Sequence, residues 1–133
     1  MRQIFIDTSA YFALADEEDK NHQAASGKMQ QLIRERASFT TTNIGIAETH
    51  TLTLKRIGYK TALEVIERIY SSQIRIYRIR EADEKKALDI IRKYTDKDFP
   101  FVDALSFAVM EKLHITQAFT FDKHFTQYGF TLL

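Results

Sequence analysis

The sequence predicts an α/β protein whose mainly parallel sheet is covered by helices on both faces. Three observations predict it. The chain opens on Ile4-Phe5-Ile6, an apolar run without polar alternation, which is how a strand buried on both faces reads. Short β-branched and aromatic runs recur further on, among them "SFTTT", "IRIYRI" and "QAFTF". Stretches of helical periodicity fill the intervals, and strands alternating with helices define this class.

The elements follow in order. The opening run gives a strand near 3–7, and helical patterns follow at about 10–15 and 20–36. "SFTTT" gives a strand at 38–42. A helix over 43–56 carries Ile44, Glu48 and Leu52 four residues apart, one row on its surface. Gly58 separates it from a helix over 59–72, as a C-terminal cap glycine does. In that helix Ala62, Leu63, Val65, Ile66 and Ile69 recur at helical spacing. "IRIYRI" marks a strand at 74–79, and Ala87, Leu88, Ile91 and Tyr94 mark a helix over 81–94. Asp98 before Phe99-Pro100 reads as an N-cap with proline in the first turn of a helix over 101–114. Strands near 117–121 and 130–132 complete the sheet.

With 133 residues, the chain is expected to form one domain over 1–133 with room for a real core. Nineteen basic residues against eighteen acidic give a net charge of +1, which does not indicate a coat for nucleic acid over the whole surface but allows a local basic rim. The absence of cysteine excludes disulfides, thiolate zinc sites and cysteine nucleophiles. No stretch is apolar for long enough to span a membrane, and residues 1–20 lack the layout of a signal peptide. The expectation is a soluble, cytoplasmic protein with no membrane partner.

Two of the buried strands end on a carboxylate, Asp7 after "IFI" and Asp122 after "AFTF". In sheets of this class, ligands bind beyond the carboxyl ends of the strands, where the strand order reverses. Glu48 lies in the row of Ile44 and Leu52, which marks an inward-facing position unless the helix register is off by one residue. Asp103 stands in the first turn of a helix that is apolar almost all round. Each acid has a structural reading of its own. Asp7 and Asp122 are suited to cap helices, and Asp103 suits the helix dipole. The four together argue for a site. Two carboxylates about 4 Å apart repel by about 4 kcal/mol at an effective dielectric near 20, so convergent acids take up protons or bind cations. Oxygen donors without an organising histidine or cysteine suit a hard ion, Mg2+ or Mn2+, whose natural chemistry is hydrolysis at a phosphoryl group.

These blocks resemble the PIN-domain ribonucleases, and among them the short VapC-type toxins of prokaryotic toxin–antitoxin pairs. The resemblance covers essentially the whole chain. "IFIDTSAYFAL" is similar to the family's opening strand and places its first acid on Asp7, while "TTNIGIAETHTLTLKRIG" places the helical glutamate on Glu48. "YTDKDFPFVDALSFAVMEKLHI" places the third acid on Asp103. "AFTFDKHFTQYGF" places the fourth on Asp122 and the family's small hydroxyl residue on Thr120. One departure is visible: many relatives carry serine or threonine just before the third acid, where this chain has Pro100, Phe101 and Val102. The resemblance implies a three-layer α/β/α sandwich with a mainly parallel central sheet of about five strands. It further implies Mg2+- or Mn2+-dependent hydrolysis of RNA to 5′-phosphate and 3′-hydroxyl ends, a homodimer, and a small cognate antitoxin that blocks the cleft.

Further candidates surround these acids. Asp96 and Asp98 flank the third block, although Asp98 before Pro100 suits a cap better. Ser9 and Asn43 are candidates to orient a carboxylate or a metal-bound water, with an N-cap as the structural alternative for each. Lys20, His22, Lys55, Arg56, Lys97, Lys123 and His124 are candidates for an RNA-facing rim; Lys123-His124 has the best case because it directly follows Asp122. The alternative function is a non-catalytic PIN-fold module that binds RNA or protein, for which four convergent acids are unnecessary. A haloacid-dehalogenase-type phosphatase would want an aspartate where Ser9 stands, and a receiver domain would want one at the end of "IRIYRIREAD", which has none there.

Overall fold

The computed structural model describes residues 2–133. Five strands form one sheet: β1 Gln3–Ile6, β2 Ser38–Thr42, β3 Arg75–Tyr77, β4 Gln117–Phe119 and β5 Thr131–Leu132. Their order is β3-β2-β1-β4-β5, and every pairing is parallel. Seven helices alternate with them: α1 Thr8–Ala15, α2 His22–Arg34, α3 Asn43–Arg56, α4 Tyr59–Ser71, α5 Glu81–Lys93, α6 Phe101–Lys112 and α7 His124–Tyr128. The strand order reverses at β1, whose neighbours are β2 on one side and β4 on the other.

β1 shows why an unbroken apolar run sits at the centre of the sheet. Successive side chains of a strand point to opposite faces. Phe5 enters one core with Ala87, Ile90, Leu105, Phe107 and Phe125, whereas Ile4 and Ile6 enter the other with Ala10, Ala25, Leu32 and Ile69. The first core lies under α5, α6 and α7, the second under α1, α2 and α4, so the three layers meet along β1 and β4.

Several expectations change in detail. The outer strand β3 stops at Tyr77 rather than 79, because only Thr40 to Thr42 of β2 are available to pair with it. β4 stops at Phe119, and α1 starts at Thr8 directly after the strand, capped by Asp7. Asp98 caps nothing. Pro100 is the N-cap of α6, no side chain caps that helix, and Asp98 is exposed in the preceding loop. Leu63, Leu88 and Phe101 point outward, at 37%, 42% and 43% exposure, and Ile90 takes the core position on α5. Gly58, at φ +138°, follows Ile57, the C-cap of α3, and donates its N–H to the Thr53 carbonyl at 3.1 Å. That backbone conformation is strained for any side-chain-bearing residue.

Candidate active site

Asp7 leaves the carboxyl end of β1 and caps α1, where it is buried with 6% of its surface exposed. Its Oδ2 accepts hydrogen bonds from Thr120 Oγ1 (2.9 Å), Ser9 Oγ (3.0 Å) and the Ser9 backbone N–H (3.3 Å). Thr120 in turn accepts from the Asp122 N–H at 3.0 Å, and Ser9 Oγ accepts from the Phe121 N–H at 2.9 Å. The ends of β1 and β4 are thus sewn together through two hydroxyls. Burial nevertheless pushes the Asp7 carboxyl above its usual range, with these hydrogen bonds acting against the shift.

Glu48 comes from α3. The face of this helix that enters the protein is not the row Ile44–Glu48–Leu52 but its neighbour, Gly45, Thr49 and Thr53. The two threonine hydroxyls donate to carbonyls one turn back, Thr49 to Gly45 O (2.8 Å) and Thr53 to Thr49 O (2.7 Å), which lets polar residues occupy a buried face. Glu48 therefore stands on the shoulder of the helix, half-buried, beside a cleft of about 400 Å³ lined by Ile44, Ala47, Thr51, Leu52, Lys55 and Val102. Its carboxyl is raised first by burial and then by the charges of Asp7 and Asp122, against a hydrogen bond from Thr8.

Asp103, in the first turn of α6, is 5% exposed. Burial, a hydrogen bond with Asp122, and the charges of Asp7, Asp122 and Glu48 together hold its carboxyl up at about 9. Asp122 lies in the turn between β4 and α7 and accepts the His124 N–H at 2.9 Å, but the N-cap of this short helix is Lys123 and no side chain caps it. His124 turns inward to the acids. Its Nδ1 lies 3.0 Å from Asp103 Oδ2, 3.0 Å from Asp122 Oδ1 and 3.2 Å from Asp122 Oδ2. Asp103, Asp122 and His124 each offer a ligand atom within 4.8 Å of the other two.

The structure thus brings the four acids to the carboxyl edge of the sheet and adds an imidazole. The sequence marks His124 as a candidate because it follows Asp122, but as an RNA-facing rim residue; its approach to both carboxylates depends on a tight turn that periodicity does not show. Asn43 lies elsewhere in function: its Oδ1 accepts the Ile79 N–H at 2.9 Å and ties α3 to the chain after β3, while Thr42 caps the helix. Lys97 pairs with Asp96 at 3.2 Å, and Arg56 lies over the Phe12 ring at 5.2 Å. His22 binds the Ala13 carbonyl at 2.7 Å. Lys55 lines the cleft beside Glu48, and Lys123 is exposed next to Asp122. Lys20 is exposed.

A parallel α/β sheet with buried acids crowded at its switch point defines the class: a three-layer protein with an acidic site at its carboxyl edge. The family model described as PIN domain matches residues 4–131, and the chain belongs to the PIN-domain family. It is 32% identical over 128 residues to the 23S rRNA-specific endonuclease VapC20 of Mycobacterium tuberculosis, covering 96% of this chain and 95% of that protein, in both strains CDC 1551 and H37Rv. The crystal structure of M. tuberculosis VapC20, a sarcin–ricin-loop-cleaving toxin, superposes with a TM-score of 0.87 at 31% identity over 96% of each chain. FitAcB from Neisseria gonorrhoeae shares the fold alone, with a TM-score of 0.66 at 15% identity over 98% of this chain and 96% of that one.

Proposed function

We propose that this protein is a metal-dependent endoribonuclease and the toxin of a toxin–antitoxin pair, with Asp7, Glu48, Asp103 and Asp122 holding Mg2+ or Mn2+. The observation that carries the reading is the crowding of four carboxylates at one sheet edge in a chain so similar to a ribosomal-RNA endonuclease. The donor set fits a divalent cation. Asp103 is held partly by like charges at a protonation state that a cation would reverse, and the site is built mainly of hard oxygen donors. An ion bound there supplies charge neutralisation at the scissile phosphate and polarises the attacking water.

The chain's own side chains divide the remaining work. Thr120 and Ser9 fix the direction of the Asp7 carboxylate. Glu48, raised and open to the cleft, is placed to accept a proton from the attacking water. Lys55, in the cleft beside Glu48, and Lys123, exposed next to Asp122, offer cationic contacts for the RNA backbone. A toxin of this kind needs a cognate antitoxin, and the resemblance extends to a homodimer.

Incubation of purified protein with 23S rRNA, and with a stem-loop carrying the sarcin–ricin sequence, tests the reading. Cleavage is expected with Mn2+ or Mg2+, none with EDTA, and a loss of at least about a hundredfold for Asp7→Asn. Equal cleavage by wild type and Asp7→Asn overturns it. Absence of cleavage across varied RNAs, with no metal-linked rise in melting temperature, favours a non-catalytic binding module.

A further inference from the structure

We infer that His124 is a nitrogen ligand of the divalent ion, which makes this a mixed oxygen–nitrogen site rather than an all-carboxylate one. The inference rests on the reading above that the acids hold a metal, and it deepens that reading by naming a ligand of a different chemical class.

Geometry carries it. Metal–donor bonds of about 2.1 Å at right angles place neighbouring donors about 3.0 Å apart. His124 Nδ1 stands 3.0 Å from Asp103 Oδ2 and 3.0 Å from Asp122 Oδ1, which is the spacing of adjacent corners of one coordination shell. The same distances lie within hydrogen-bond range, so a ring N–H shared between the carboxylates is the competing arrangement that the test below separates from ligation. Nδ1 carries at most one proton, yet three carboxylate oxygens lie within 3.2 Å of it. The ring is also held in place before any ion arrives. Its backbone N–H is fixed on Asp122 Oδ1 at 2.9 Å, and Phe99 meets the ring edge-on, with centroids 5.8 Å apart and planes at 82°. Phe99 is buried in the aromatic cluster with Phe107 and Tyr128, so the support under the imidazole is rigid.

An imidazole changes which ions the site prefers. Carboxylate and water donors suit Mg2+, whereas a nitrogen donor favours Mn2+ and the later first-row ions over Mg2+. Replacing His124 with glutamine is therefore expected to weaken Mn2+ by at least about tenfold and Mg2+ by less. The chain has four histidines, so each of the others serves as a control.

The test is pulsed electron paramagnetic resonance of the Mn2+ complex of the full-length protein, reading the coupling of a directly bound nitrogen. Wild type is expected to show that coupling. His22→Gln, His50→Gln and His114→Gln are expected to keep it, and His124→Gln to lose it while still binding Mn2+ at higher concentration. Should His124→Gln fail to fold, His124→Asn and the wild-type spectrum decide the matter. Mn2+ bound without nitrogen coupling in the wild type overturns this inference and leaves the nuclease reading standing, as does coupling that survives in the His124 variants. No Mn2+ bound by the wild type overturns both.

Discussion

Thr120 Oγ1 serves three partners at once: it donates to Asp7, accepts from the Asp122 N–H, and meets Ser9 Oγ at 3.0 Å. Thr120→Val keeps the shape and removes the hydroxyl, leaving a buried carboxylate short of a donor. On the proposed reading, in which Asp7 holds the ion, Thr120 orients a metal ligand without touching the metal; loss of such a group typically costs 10–100-fold in metal affinity, so Mn2+ titration of Thr120→Val is expected to show a loss of about that size while Thr120→Ser stays near wild type. Asp103 sets a second expectation. Burial and its acidic neighbours push its carboxyl up from the usual carboxylate range to about 9, so between those values the folded state holds a proton that the unfolded state has released. Metal-free protein is therefore destabilised progressively as pH rises from about 4 to about 9, and Asp7 and Glu48, also raised, act in the same direction. Urea unfolding in EDTA at several pH values checks this. Asp103→Asn is expected to flatten the slope, and a slope as steep in that variant as in wild type contradicts the assignment.

Among the elements, α5 and β3 show how a single buried acid joins three segments. Asp83 is 3% exposed; it accepts from the Tyr77 hydroxyl (2.9 Å) and the Arg80 N–H (2.9 Å), and Lys112 of α6 approaches it at 3.7 Å. Asp83→Ala removes the acceptor of the Arg80 N–H at the start of α5 and leaves the half-buried Tyr77 hydroxyl with one partner fewer, a loss of about 1 kcal/mol or more. The urea midpoint is expected to fall accordingly, with RNA cleavage per folded molecule unchanged because Asp83 lies outside the acid cluster. The elements also show what was legible in advance. α3 begins and ends where its pattern predicts, at Asn43 and Arg56, because Thr42 and Gly58 punctuate it. Its buried face was misplaced by one residue, since a threonine row that satisfies its own hydroxyls reads as polar in sequence. α7, only five residues long, carries too few turns to produce a period. Asp7 and Asp122 were visible because apolar strands ended on them. His124 stood out only as the neighbour of Asp122, and its approach to Asp103 was not visible, because a turn, rather than a periodic element, delivers it.

Across the whole molecule, the acid cluster lies at the seam between the two cores. Asp103 hangs from α6 on the Phe5 side of the sheet, whereas Asp7 starts α1, which packs on the Ile4 and Ile6 side. An ion that engages both would tie the two layers together, and no such arrangement of donors exists in the unfolded chain. Binding is then linked to global folding: at a free concentration one hundred times Kd, the native state gains about 2.7 kcal/mol. For a chain of this size, that corresponds to a rise in Tm on the order of 10 °C. A thermal scan of wild type with EDTA, Mg2+ and Mn2+ is expected to show this rise, reversed by chelation. On the proposed reading, Asp7→Asn combined with Asp103→Asn removes a ligand from each layer; it is expected to lessen the fall of the metal-free Tm with rising pH, since two carboxyls that burial holds above their usual range are gone, and to abolish the metal-induced increment. An increment of equal size in the double variant would mean that the ion acts elsewhere on the molecule, and would separate the acid cluster from both catalysis and stability.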